Sequence, residues 1–579
     1  MALPTQTIIP GVLESVFRRE FEALLAENVL ARLWARDSTL WPPPSEKSAT
    51  TEEGLSWLDL PVRMGTKLRE LAEFSAEIEK DGIHDIVNLG FGISHIAPEV
   101  VTLVFPAPAG RRFFALDSTD PASVRDVAET IDLRKTLFLV AGKSGKSPDA
   151  HIHFLYFLDR LKSAGVKRPG NHFAAVAEEH SYLDQIATQY GFRKKFLDPP
   201  GLGVRYSVFS YFGLVRAALW GLDLPAYLAA GAAMHQACGP DSPPDQNPAL
   251  ALGALLAAGV MAGRDKLLLF ASPRIAWLSQ RIEQLIAAGT GKQGSGIVPV
   301  VGDCEIDGDS IATRGITALL RLQEEGSPEL ERRMASARES RQPFVEILLN
   351  SPLEVGAEFY KWEVATALAA YLLGVAPFEI PAVRESEART TEMLERVQTN
   401  RGLPAATPRV CESSLELYAE GVARQQISTL SLVDALQTFF KLRQPGSYLA
   451  ILSFLPNGAQ VAESLWALRG QLSRTLDIPV LLSFGPRYLY SLGQMYKDGP
   501  PSGLFLMLTA AHDQDVPIPG AGYTFGQLQM AQALGDLDSL VRLQRPVIRL
   551  HLTQGAEQGL AQVEKVVNRA LTQARRAQG

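Results

Sequence analysis

Residues 137–150 read LFLVAGKSGKSPDA. Five apolar residues end at a loop of Gly, Lys and Ser, and Pro-Asp-Ala then opens a helix-like segment. A short apolar run bounded by glycine reads as a buried strand. Proline suits the first turn of a helix, where its missing N–H costs nothing. Strand, loop and helix in that order make a βα unit, the building block of a parallel sheet. The loop presents backbone N–H groups and a helix N-terminus to an anion, and Ser144 and Ser147 add hydroxyl donors. A nucleotide P-loop is excluded, because its first glycine would fall at position 140, which is Val.

The same texture extends on both sides. DIVNLGFGIS (85–94) and HFAAVAEE (172–179) each place an apolar run before a small or polar loop. DKLLLFAS (265–272) and GIVPVVGD (296–303) start a second series, with a helix predicted from Pro273 to Ala288 between them. YLAILSFLP (448–456), PVLLSFG (479–485), GLFLMLTAA (503–511) and VIRLHLT (547–553) continue it. Before residue 80 the pattern is helical, with apolar residues at helical spacing over Leu13–Leu33 and a break at Pro42–Pro44. GPDSPPDQNP (239–248) reads as a linker. The expected division is a helical segment over 1–80, α/β domains over 81–240 and 245–555, and a C-terminal helix over 556–579. Glu324–Arg341 reads as a solvated helix face.

Composition narrows the function. The chain has 579 residues, 46% hydrophobic and 21% charged, with a formal net charge of −7. That length implies more than one domain. The charge argues against general nucleic-acid binding, which needs a basic face. Cys238, Cys304 and Cys411 are odd in number and form no metal pattern, so a reducing, cytoplasmic setting is expected. The first residues lack the basic and apolar regions of a signal peptide. Ala249–Gly263, the most apolar stretch, is shorter than the ~20 residues of a membrane span and reads as a buried helix. Neither a membrane nor a cofactor is expected.

Several segments together resemble the phosphoglucose isomerase family, in the branch found fused to transaldolase. They are ARLWARDSTLW (31–41), LGFGISHIAPE (89–99), GLGVRYSVFSYFGL (201–214), NPALALGALLAAGVMAGRDKLLLFAS (247–272), QLIAAGTGKQGSGIVPV (284–300), LLGVAPFEIPAV (372–383), GPRYLYSLGQMYKDGPPSGLFLML (485–508) and DVPIPGAGYTFGQLQMAQALGD (515–536). The resemblance implies an α/β fold: two sugar-isomerase (SIS-type) doubly wound parallel-sheet domains with helical N-terminal and C-terminal extensions. It also implies interconversion of glucose 6-phosphate and fructose 6-phosphate through an enediolate, a sugar phosphate as ligand, and a homodimer. No transaldolase half is visible, which leaves association with a separate transaldolase as an expectation.

The resemblance assigns roles residue by residue. Lys143, Ser144 and Ser147 match the loop that grips the sugar phosphate, although Gly142 and Ala150 stand where hydroxyls are usual. Gly90, Gly92 and Ser94 match a loop beside the sugar, with Ile93 in place of a glycine. Arg205 matches the arginine that steadies the enediolate, with Val204 in place of a glycine before it. Gln494 and Lys497 match a sugar-binding glutamine and a ring-opening lysine. Tyr490 and Tyr496 stand where the fused branch commonly has histidines. The family's ring-opening histidine has no candidate between His235 and His512, and His151 and His153 read as surface or capping side chains.

The largest departure falls at residue 288. The family's helix ends Glu-Ser-Thr-Gly-Lys, and its glutamate is the catalytic base; this chain has Ala288 there. Alanine cannot exchange a proton. Glu283 lies five residues earlier on the predicted helix and should point elsewhere. Asp303 and Glu305 are the other carboxylates placed to substitute. Turnover is therefore expected to be impaired. The alternatives are a non-catalytic sugar-phosphate binder or structural subunit, and an isomerase for a different anionic sugar.

Overall fold

The computed structural model describes residues 3–43, 53–90, 93–142, 148–302, 315–399 and 402–576. Contacts divide the chain into two compact units. The first comprises residues 1–115, 131–304 and 312–380; the second comprises 116–130, 305–311 and 381–579. Each has its own hydrophobic core.

The first unit holds two five-stranded sheets. Strand β1 (Thr5–Ile9) lies at an edge of one of them. The other contains β2 (Asp85–Leu89), β3 (Arg112–Leu116), β4 (Thr136–Ala141), β5 (Phe173–Glu178) and β6 (Lys194–Asp198), in the order β3-β2-β4-β5-β6. The β2–β4, β4–β5 and β5–β6 pairs are parallel. The sheet bearing β1 adds β7 (Lys266–Ala271), β8 (Val298–Val301), β9 (Gly315–Leu322) and β10 (Phe344–Leu349), in the order β1-β10-β9-β7-β8. Every pair there is parallel except β1–β10.

Helices α1 (Ile93–Val104), α2 (Pro148–Ser163), α3 (Ala276–Thr290) and α4 (Val355–Leu372) belong to this unit. Strand β4 is buried along its whole length. Helices on both faces of a parallel sheet explain why its strands read as unbroken apolar runs. The stretch 249–263 forms a buried helix, Pro248–Met261.

The second unit has six strands: β11 (Val410–Glu412), β12 (Leu415–Ala419), β13 (Tyr448–Phe454), β14 (Val480–Phe484), β15 (Gly503–Ala510) and β16 (Val547–Leu552). Their order is β11-β12-β16-β15-β13-β14. The β16-β15-β13-β14 part is parallel, and β12 and β11 continue it antiparallel. Helix α5 (Pro381–Gln398) packs along α7 (Phe525–Arg542), with α6 (Leu492–Asp498) against both.

The α/β class with parallel, SIS-type sheets is as expected from the sequence. Three details differ. The first eighty residues are not all helical: Thr5–Ile9 pairs antiparallel with β10, because its alternating β-branched residues suit an edge strand. The helix expected over Leu13–Leu33 breaks at Asn28, whose φ of 48° is left-handed, a conformation asparagine tolerates. The run 245–555 supplies two sheets, since periodicity predicts strands without saying which strands pair.

Candidate functional site

In the first unit the site is built around α3. A short 3-10 turn at Pro273–Ile275 leads into it, and its C-terminal half is buried on all sides. Ala288 has no exposed surface. The helix ends in a tight turn: Nζ of Lys292 donates to the carbonyls of Ala288 (2.6 Å) and Gly289 (2.9 Å). A cation over the last carbonyls satisfies acceptors that the helix leaves open. Thr290 Oγ1 donates to Ile286 O and accepts from Ile297 N. The Gly-Thr-Gly-Lys sequence thus fixes the helix end mechanically.

Gly289 has its own consequence. A Cβ there would lie 2.5 Å from Thr366 Cγ2 on α4. Helix α4 therefore leaves no room for a side chain at position 289 as the two helices pack.

Arg205 lies on the 3-10 turn Val204–Tyr206, which has no side-chain cap. It is nearly buried, and its Nη2 donates to Phe378 O at 2.7 Å. Tyr206 packs against Trp57, ring centroids 4.8 Å apart, and edge-on to Phe378 at 5.1 Å. The turn is held from α3 as well: Arg281 donates through Nη2 to the Arg205 carbonyl and to Glu363 Oε1 (3.2 Å) on α4. Arg281 and Glu363 are both buried. Burial pushes the Glu363 carboxyl up to about 8, with Arg281 opposing the rise. The same burial lowers Arg281, but a guanidinium starts so high that it stays charged.

Gln284 passed unnoticed in the sequence. It lies one turn before Ala288 on the same face of α3. It is fully buried, and among the described residues neither end of its amide has a hydrogen-bond partner. The hydroxyls of Tyr206 and Tyr227 and the Nε and Nη1 of Arg281 share that condition. Buried polar atoms are normally paired, so a concentration of unpaired ones around one helix face marks a place suited to a polar ligand. The spacing of four between Gln284 and Ala288 was the available signal. Glu283, as expected, faces elsewhere and is partly exposed.

The remaining predicted residues of this unit are less informative. Lys143, Ser144 and Ser147 lie outside the described residues, as do Gly92, Asp303 and Glu305. Ser94 falls in the first turn of α1, and its side chain is not described. His153 is fully buried and His151 half-buried, which corrects the surface reading of these two. His151 packs against Tyr182, and the neighbouring Phe154 of α2 packs on Phe173 of β5.

In the second unit, Gln494 and Lys497 sit on α6 and are both buried. The Lys497 ammonium donates to Asp536 Oδ1 on α7 at 2.5 Å. Tyr488 OH donates to Asp536 Oδ2, also at 2.5 Å. Gln494 Oε1 accepts from Ala382 N at 3.0 Å, and its Nε2 donates to Asp498 at 3.1 Å. Tyr496 shares a hydrogen bond with Ser483. These groups tie α5, α6 and α7 together.

Residues 70–295 match the family model described as phosphoglucose isomerase. The glucose-6-phosphate isomerase of Acaryochloris marina is 28% identical over 279 residues, 46% of this chain and 50% of that protein. The one from Prochlorococcus marinus is 31% identical over 36% of this chain and 38% of that one. A probable glucose-6-phosphate isomerase of Natronomonas pharaonis is 27% identical over 52% of this chain and 76% of that one. The chain spans about half the length, or less, of the cyanobacterial relatives it matches.

Among solved structures, a hypothetical protein of Thermus thermophilus aligns with a TM-score of 0.58 and 22% identity, over 67% of this chain and all of that one. A glucose-6-phosphate isomerase of Chlamydia trachomatis aligns at 0.56 and 16%, over 66% and 86%. Both are similar in fold. The match to that family model, over residues 70–295, includes the Arg205 turn and α3.

Proposed function

We propose that this chain binds a hexose phosphate between the Arg205 turn and α3 and that it has lost most of the isomerase chemistry. The observation that carries the reading is the enclosed methyl group of Ala288, at the position to which the resemblance assigns the family's base. Exchanging glucose 6-phosphate and fructose 6-phosphate moves a proton between C1 and C2, α to a carbonyl. Such a proton is a poor acid, so a carboxylate must take it, hold it and return it. A positioned general base contributes typically ~10²–10⁴-fold.

The rest of the machinery fits binding. Arg205 places a guanidinium where negative charge on an enediolate, or on a ligand oxygen, would be held. Gln284 offers both an amide donor and an acceptor to sugar hydroxyls. The glycine-rich loop at 142–147 supplies the phosphate end by resemblance alone. Glu363 is a buried carboxyl on α4 that meets Arg281 of α3. Its hydrogen bond with Arg281 commits it to structure, which favours a binder over an isomerase with a displaced base. The homodimer, a separate transaldolase partner and a cytoplasmic setting belong to the same proposal. Among the described residues no helix is long and apolar enough to cross a membrane.

The test is a coupled assay from fructose 6-phosphate on the natural chain and on Ala288→Glu, with ligand affinity measured in parallel. The reading expects binding by both, little turnover by the natural chain, and a gain of ~10²-fold or more in the variant. Family-like turnover by the natural chain would overturn it.

A further inference from the structure

We infer that Arg281, held by Glu363, is a positioning residue that sets Arg205 for ligand binding; this rests on the binding role of Arg205 proposed above. The turn at Val204–Tyr206 is three residues long, follows Gly203 and lacks a side-chain cap, so it has little to hold it from within. Two of the ties on Arg205 come from outside the turn. One catches the tip of its side chain at Phe378 O (2.7 Å). The other catches its own main-chain carbonyl, through Nη2 of Arg281.

Arg281 crosses 76 positions of sequence to make that contact. It does so from a fully buried site on α3, where the groups that act on its charge are Glu363, Tyr206 and Tyr227. Its orientation is set by Glu363, which sits on the buried helix α4 and accepts from the same Nη2. The chain of contacts runs from a rigid helix, through a planar guanidinium, to the peptide group of the residue that would touch the ligand. A guanidinium presents its donors in a fixed fork, so moving Arg281 moves the carbonyl it holds. A displacement near 1 Å is enough to lose a well-formed ionic hydrogen bond.

A purely structural ion pair would affect folding alone, so the experiment must separate the two roles. Fructose 6-phosphate is titrated to millimolar concentration into the full-length natural chain, Arg281→Met/Glu363→Met, Arg205→Lys, and the combination of all three changes, with melting temperatures recorded for each. Removing both partners of the buried pair avoids leaving a lone buried charge. Arg205→Lys replaces the fork with a flexible point charge that is insensitive to peptide placement.

The expected result is a roughly tenfold loss of affinity for the double change, equal to about 1.4 kcal/mol, in a chain that remains folded. In the Arg205→Lys background the same double change should cost less than twofold. Glu363→Gln, which keeps an acceptor for Arg281, should stay within threefold of the natural chain. If the two losses multiply instead, Arg281 does not act through Arg205 and the inference fails while the binding site stands. If the natural chain binds no fructose 6-phosphate at all, the proposed function fails and takes the inference with it.

Discussion

Two helices carry the residues that the sequence singled out, and the structure treats them differently. On α6, every notable polar group is paired inside the second unit: Lys497 with Asp536, and Gln494 with Ala382 N and Asp498. On α3, in the first unit, the amide of Gln284 and two nitrogens of Arg281 have no partner among the described residues, and neither have the hydroxyls of Tyr206 and Tyr227 nearby. Burial is equal in the two places. Satisfied buried groups rigidify a fold; unsatisfied ones cost free energy that persists only where something else is gained. On the function proposed above, the contrast fits a structural role for α6 and a recognition role for α3.

The most direct way to break that contrast is Lys497→Met. Removing one member of a buried pair leaves Asp536 charged and uncompensated, at a cost of about 3–5 kcal/mol. Chemical denaturation should show a large fall in midpoint. Should stability hold while ligand affinity or turnover collapses, Lys497 is a site residue and the contrast is wrong.

The pH dependence of stability probes α3 from the other side. The Glu363 carboxyl is raised from an ordinary 4.5 to about 8 by burial. Between those values the folded chain keeps a proton that the unfolded chain releases, so stability falls as pH rises through that window. Asp198, raised to about 6 by burial, adds a fall in the same direction between its ordinary value and about 6. Glu363→Gln should flatten the upper part of the curve, from about 6 to 8. An unchanged slope there would mean that Glu363 ionises normally.

Gly289→Ala tests the close packing of α3 against α4. Its Cβ would meet Thr366 at 2.5 Å, and forced overpacking costs typically 1–3 kcal/mol. A neutral result would show that α3 and α4 can part, and that the ground beside Ala288 is less closed than it looks.

How much of this was legible in the sequence follows from what each signal depends on. The unbroken apolar runs of β4, β13 and β15 announced parallel sheets because burial on both faces removes alternation. Sheet membership was not legible: β7 and β13 read as one series, and only non-local pairing sends them to different units. Strand β1 was missed because five residues at an edge carry too little periodicity. Ala288 stood out only through the resemblance, whose motif fixes its register. Gln284 was written in the same motif, but its importance depends on having no partner, which no sequence records. Arg281 and Glu363 sit 82 residues apart, and nothing local links them.

The smallest expected effect discriminates most finely, because its two readouts should move in opposite directions. Gln284→Leu keeps roughly the volume of the side chain and removes an amide that is fully buried and unpartnered among the described residues. An unsatisfied buried polar group costs about 1–3 kcal/mol, and replacing it with an apolar group of similar shape recovers part of that. The free protein should therefore become more stable, by about 1 kcal/mol, seen as a higher melting temperature. Affinity for fructose 6-phosphate should fall, because the ligand loses a donor and an acceptor. A Gln284→Leu chain that is less stable and binds as before would make Gln284 an ordinary core residue. A chain that gains stability and loses affinity would identify the stretch from Arg281 to Ala288 as a surface kept costly for the sake of a ligand.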